Sequence, residues 1–189
     1  MALGIHQACL VTIERQADER GFFARTYCER EFAAAGLPAR SVQASISSNA
    51  RRGTVRGMHF QWPPSQEGKL VRCLRGALFD VLLDLRPESP TYLRHLGIEL
   101  DEESRDAVFI PHGVAHGFQT LADATEVFYQ MTDFHAPDLA GGFRWNDPSF
   151  GIAWPIGDGI VISERDVRYP DFDRRAFESQ LIHRARLGP

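Results

Sequence analysis

Three segments of this chain carry a histidine, a lysine and a tyrosine in strand-like surroundings: Arg56-Gly57-Met58-His59-Phe60-Gln61, Gly68-Lys69-Leu70-Val71-Arg72 and Glu126-Val127-Phe128-Tyr129. Histidine can act as a base near neutral pH, an ammonium can stabilise negative charge on an oxygen, and a phenol can return a proton. These are the groups needed to remove and replace a carbon-bound proton beside a ketone. Spacing in the chain does not bring them together; the elements that carry them must.

The dominant period along the chain is two, the mark of strands. Ala77, Phe79, Val81, Leu83 and Leu85 fall on one face of a segment whose other face, Leu78, Asp80, Leu82 and Asp84, is mixed. The same pattern predicts strands at Cys9–Glu14, Ser41–Ser47, Thr54–Gln61, Lys69–Leu74, Tyr92–Leu100, Val108–Ile110, Gly117–Leu121 and Thr125–Thr132. Arg75-Gly76, between two of these strands, reads as a tight hairpin turn. Helical pattern is confined to about Glu29–Ala35, ended by Gly36, and to a C-terminal appendage near Asp173–Ala185. Many short strands separated by Gly and Pro predict an all-β sandwich or barrel. Asp133–Pro155 is rich in Pro, Gly and Asp, yet holds Phe143, Trp145, Phe150 and Trp154. So many aromatics predict an ordered loop packed on the strands, placed to help close a pocket.

Composition sets the outer bounds. With 189 residues and 43% hydrophobic content, the chain can bury the core of one domain spanning 1–189. A net charge of −4 gives no global reason to expect nucleic-acid or membrane binding, so any anion site is local. Cys9, Cys28 and Cys73 are odd in number and far apart, which argues against a disulfide framework or a structural zinc site. Reduced thiols, no signal-peptide pattern and no membrane-length apolar run predict a soluble, cytoplasmic protein.

The chain resembles the nucleotide-sugar 3,5-epimerase family. The resemblance begins at Asp18-Glu19-Arg20-Gly21-Phe22-Phe23, runs through the three segments above, and continues through Phe79-Asp80-Val81 and Leu85-Arg86-Pro87-Glu88-Ser89-Pro90-Thr91. It resumes at Ile110-Pro111-His112-Gly113-Val114-Ala115-His116-Gly117-Phe118, Arg144-Trp145-Asn146-Asp147-Pro148 and Ser163-Glu164-Arg165-Asp166. Each motif alone is weak; their ordered set covers nearly the whole chain.

The resemblance implies a cupin-like jelly-roll barrel with short peripheral helices, a homodimer, and no cofactor or metal. It implies a nucleoside-diphospho-4-keto-6-deoxyhexose as substrate, deprotonated beside its ketone and reprotonated on the opposite face. His59 would be the base, with Asp166 paired to it, Tyr129 the proton donor, and Lys69 the cation for the developing C4 oxyanion. Arg20, Phe23, Arg56, Gln61 and His116 would bind substrate, with arginine suited to phosphate by its planar fork. Residues near Arg20 and Phe23 would reach the neighbouring subunit's site.

Some positions depart from the family pattern. Arg25 stands where thymidine enzymes usually carry a glutamate, Ser45-Ile46-Ser47 replaces an Asn-His-Ser stretch, and His135 takes the place of a second aromatic after Asp133-Phe134. A cytidine or other nucleotide carrier therefore stays open beside thymidine. Separately, because small shifts in the position of Tyr129 could stop the reaction after one centre, inversion at one centre stays open beside inversion at both C3 and C5. Two other classes also stay open. One is a non-catalytic sugar-nucleotide binding module. The other is a metal-dependent cupin oxygenase using His59, His112 and His116, although the barrel signature of two histidines one residue apart is missing.

Overall fold

The computed structural model describes residues 1–38 and 40–186. In chain order its strands are β1 (Cys9–Val11), β2 (Gln16–Asp18), β3 (Gly21–Phe23), β4 (Gln43–Asn49), β5 (Val55–Gln61), β6 (Lys69–Arg75), β7 (Ala77–Asp84), β8 (His95–Asp101), β9 (Ala107–Ile110), β10 (Val114–Thr120), β11 (Thr125–Met131) and β12 (Ala140–Gly142). The helices are α1 (Glu29–Ala34), α2 (Glu164–Val167) and α3 (Arg174–Arg186). Two five-stranded antiparallel sheets result, ordered β1-β9-β6-β11-β4 and β12-β5-β10-β7-β8, with β2 and β3 forming a separate hairpin. Among the described residues no ladder joins the two sheets into a closed barrel.

The sheets face each other across one apolar core. Val71 and Cys73 of β6, Val108 and Ile110 of β9 and Val127 of β11 meet Leu78 and Leu82 of β7, Leu100 of β8 and Phe118 of β10. Each fully buried leucine here contributes roughly 2 kcal/mol of transfer free energy. A second cluster lies behind the β5-β10-β7 sheet: Met58, Phe60, Val81, Leu83 and Ala115 are covered by Phe143, Phe150 and Phe177. The aromatic-rich 133–155 segment supplies Phe143 and Phe150 of that cover and α3 supplies Phe177; Trp154 anchors the segment by donating Nε1–H to the Trp145 carbonyl at 2.8 Å. Both faces of β7 are thus buried, so its polar residues must be paired inside the fold. Asp84 accepts from Arg86, Ser89 and Thr91.

Arg75-Gly76 is not a hairpin. β6 pairs with β9 and β11, whereas β7 pairs with β10 and β8, so the chain crosses from one sheet to the other at this point. Both strands are mostly buried along their length and suit a central place in either sheet. Gly76, at φ 75°, permits the corner, and a Cβ there would stand 2.6 Å from Thr125 Oγ1.

A close approach of backbones joins β5 to β10. A Cβ at Gly57, which has φ 138°, would fall 2.5 Å from the Gly117 Cα. This contact helps set the register that places His59 opposite His116. Gly57→Ala is expected to destabilise the protein by about 3 kcal/mol, measured by denaturant unfolding, because backbone rather than a flexible side chain must yield. A change below about 0.5 kcal/mol would show that the two strands are free to separate.

Candidate active site

His59 projects from β5 toward the opposite sheet, while its neighbours Met58 and Phe60 point into the aromatic layer behind. Its Nε2 lies 2.8 Å from Asp166 Oδ1; the ring is 41% exposed and the carboxylate only 6%. Asp166 reaches this place because α2 begins beneath β5. Ser163 caps that helix by accepting the Asp166 N–H at 3.1 Å, and the Gly57 N–H donates to Asp166 Oδ2 at 3.3 Å. Burial works against ionisation of Asp166. The His59 hydrogen bond and charge, the Gly57 N–H and Arg165 together outweigh it and hold the carboxyl below its ordinary value. The edge of Tyr169 rests against the His59 ring, centroids 5.9 Å apart.

Lys69 and Tyr129 come from the facing sheet. Lys69 begins β6 on the same face as Val71 and Cys73, and its ammonium pairs with the Glu67 carboxylate. The second Glu67 oxygen accepts from Gln61 Nε2 at 2.8 Å, and Gln61 Oε1 accepts the Ala136 N–H at 2.8 Å. Tyr129, on β11, packs against the inter-sheet core and meets His116 edge to face at 5.9 Å. Burial first, then the negative charge of Asp80, push the Tyr129 phenol above its ordinary range against the pull of Arg56. The phenol therefore keeps its proton at neutral pH. His116 is buried with Nε2 2.6 Å from Asp80 Oδ1, while Asp80 Oδ2 has no partner among the described residues. Arg56 donates from Nε to Asn49 Oδ1 at 2.8 Å.

These groups line two adjoining cavities. One, of about 350 Å³, is bounded by His59, Gln61, Glu67, Lys69, Tyr129 and Arg165. The other, of about 250 Å³, shares Ser45, His59, Lys69 and Tyr129 with it and adds Arg56 and His116. A base paired to a carboxylate on one wall, with an ammonium and a protonated phenol on the other, can take a proton from one side of a bound molecule and return one from the opposite side.

Arg20 and Phe23 stand elsewhere, exposed on the β2–β3 hairpin and lining neither cavity; Arg20 is held by Asp18 at 2.5 Å. Arg25 likewise lines neither and pairs with Glu31 at 2.6 Å. Of the other departures, Ser45 and His135 do reach the site. Glu67, Asp80, Arg165 and Tyr169 carry no role in the sequence reading. Two of them left a signal: Glu67 lies two residues before Lys69, and Asp80 interrupts an apolar strand. His59 and His116 each face a carboxylate, and His112 lines a different cavity beside Arg86 and Phe177. Among the described residues no group of three or more His, Cys, Asp or Glu is arranged to hold a metal ion, and no helix is long and apolar enough to cross a membrane.

A two-sheet fold with a cleft lined by ionisable side chains between its sheets defines the broad class, and comparison with known proteins narrows it. The family profile described as dTDP-4-dehydrorhamnose 3,5-epimerase matches residues 2–174, and the chain belongs to that family. A dTDP-4-dehydrorhamnose 3,5-epimerase of Methanothermobacter thermautotrophicus is 44% identical over 161 residues, covering 84% of this chain and 86% of that protein. A dTDP-4-dehydrorhamnose 3-epimerase of Streptomyces niveus is 41% identical over 165 residues, covering 87% and 79%. The crystal structure of the Legionella pneumophila dTDP-6-deoxy-D-glucose-3,5-epimerase in complex with dTDP-4-keto-L-rhamnose aligns with a TM-score of 0.87 at 30% identity, covering 95% of this chain and 94% of that one.

Two titrations follow from the site's electrostatics. Because the folded-state pKa of Asp166 is depressed, its ionised form stabilises the fold above the ordinary carboxyl value of 3.8 and ceases to do so as pH falls through the lower folded value. The melting-temperature gap between the protein and Asp166→Asn should therefore be present at neutral pH and close in acid; a gap that widens in acid would reverse the sign. Tyr129→Phe should leave the tyrosinate absorbance of the folded protein unchanged up to about pH 10.5. Loss of one tyrosinate step near pH 10 would show an ordinary phenol.

Proposed function

We propose that this protein epimerises a dTDP-linked 4-keto-6-deoxyhexose at C3 and C5, and that His59, Asp166, Lys69 and Tyr129 carry the chemistry. The observation that supports this most is the placement of His59 on one sheet and Lys69 with Tyr129 on the other, all lining one cavity. His59 takes the proton from the carbon beside the C4 ketone, and the electron pair left behind moves onto the C4 oxygen as an enolate. Asp166 orients the imidazole and stabilises its protonated form. Lys69 gives most to the enolate, since its ammonium meets more negative charge there than in the ketone. The enolate electrons then form a new C–H bond with the Tyr129 proton on the opposite face, which inverts the carbon.

Arg56, braced by Asn49, takes a phosphate, while Gln61 and His116 contact the sugar. The thymidine carrier is supported by the three relatives named above, each of which has dTDP in its name. Arg20 and Phe23, exposed on their hairpin, are assigned to the site of a second copy in a homodimer. The two sheets are read as the halves of a cupin-like jelly roll, in one domain with α3 packed on its outer face through Phe177. A reducing, cytoplasmic setting fits Cys9, Cys28 and Cys73, all free thiols. Inversion at C3 alone is the second reading, favoured by the likeness to the Streptomyces niveus 3-epimerase.

The test is solvent exchange in D₂O with dTDP-4-keto-6-deoxyglucose, read by NMR at each sugar carbon. Deuterium at C3 and C5 is expected; deuterium at C3 alone selects the second reading, and none at either carbon refutes both. His59→Asn should slow exchange by about 10³-fold while substrate affinity changes far less. Unchanged exchange in that variant would remove His59 as the base.

A further inference from the structure

Glu67 sits where a carboxylate needs a reason. It lines the cavity beside Lys69, with 7% of its side chain exposed against 15% for the lysine, and its negative charge opposes any oxyanion formed there. One oxygen pairs with Lys69 Nζ and the other accepts from Gln61 Nε2. Its own N–H donates to Ser65 Oγ at 3.2 Å, and Ser65 Oγ–H donates to Asp133 Oδ2 at 3.1 Å. The Glu67 backbone is thus fixed through Ser65, and its carboxylate, held by Gln61, joins β6 to β5. Lys69 is also the only lysine in the chain; its other 20 basic residues are arginines. A site served by a point charge on a flexible stem, in a chain that otherwise uses the rigid fork, calls for something to fix that stem.

We propose that Glu67 is a positioning residue for the epimerisation proposed above: it holds the Lys69 ammonium so that its remaining N–H bonds face the cavity. An ammonium has three donors on one tetrahedral nitrogen. Binding one of them to a braced carboxylate fixes the rotation of the other two and removes rotamer freedom that would otherwise be lost during the reaction. The pairing also offsets the cost of keeping an unpaired ammonium in a partly buried cleft. The opposing charge is tolerated because Glu67 touches Lys69 rather than the reacting oxygen. The link through Gln61 to the Ala136 N–H extends the same brace to the segment that carries His135.

Glu67→Gln, which keeps the shape and removes the charge, tests this in two independent ways. In the first, Lys69 is acylated by an amine-selective ester and followed by mass spectrometry, where a single lysine gives an unambiguous signal. Labelling should be at least about threefold faster in the variant, because Lys69 is no longer held; equal or slower labelling overturns the proposal. In the second, kcat for the dTDP-linked ketosugar should fall about tenfold with KM changed less than about threefold, as for a group acting mainly in the transition state. Unchanged or higher kcat, or a loss confined to KM, overturns the proposal, since a merely structural residue would not produce that split. Glu67→Asp, which keeps the charge on a shorter stem, should recover part of the lost kcat. If the unaltered protein turns over no ketosugar, the functional reading fails, and the labelling arm alone decides whether Glu67 restrains Lys69.

Discussion

Two sheets that bury apolar side chains between them can hold ionisable groups on their inner faces only if each has a partner within reach. That constraint organises this molecule. Asp80 faces His116, Asp84 faces Arg86, Glu67 faces Lys69, and Asp166 faces His59. In two of these pairings, Asp80–His116 and Asp166–His59, the partners come from different elements, and in the other two the carboxylate also accepts from further residues, so the pairings tie the fold together as well as neutralising charge. Along β7 the two kinds of pairing differ in use. Asp84 and Arg86 fasten the N-terminal segment through the His6 carbonyl and Gln7, whereas Asp80 stands behind His116 at the cavity wall.

The cleft exists because the inner face stops being apolar toward one end. Leu78, Leu82, Val71 and Val127 close the middle of the sandwich, while His59, His116, Lys69 and Tyr129 continue the same strand faces into open space. Facing sheets give the cleft two walls with ionisable groups on both, a geometry that suits proton transfer from opposite sides. One wall is stiffened from behind by the aromatic layer of Phe60, Phe143, Phe150 and Phe177, and by the glycine contact between β5 and β10. A base on such a wall is held by packed strands rather than by a loop, which is what proton transfer over hydrogen-bond distances requires.

The elements of this fold were largely legible in the chain because period two survives in its strands. Thr54–Gln61, Lys69–Leu74, Ala77–Leu85 and Thr125–Thr132 agree with β5, β6, β7 and β11 to within a residue or two. The short pieces were not legible: β2, β3, β12 and α2 have three or four residues each, too few to display a period. At Arg75-Gly76 a glycine between two strands signals a turn but not its destination. A hairpin and a crossing between sheets use the same local chemistry, and only the pairing of β6 with β11 and of β7 with β10 separates them.

The sequence by itself determined which residue types were available, which strand face each occupied, and, through its ordered motifs, the family. Alternation fixes a side chain's face as soon as the strand forms, so Lys69, Val71 and Cys73 had to lie together. Tertiary structure alone decided who meets whom. His59 and Asp166 are 107 positions apart, and His116 and Asp80 are 36 apart. No local rule connects them; sheet register and the docking of α2 under β5 do. Glu67 shows the same division within two residues of Lys69: its closeness was written in the chain, but its carboxylate became a partner only when the cleft shut out the water that would otherwise have separated the charges.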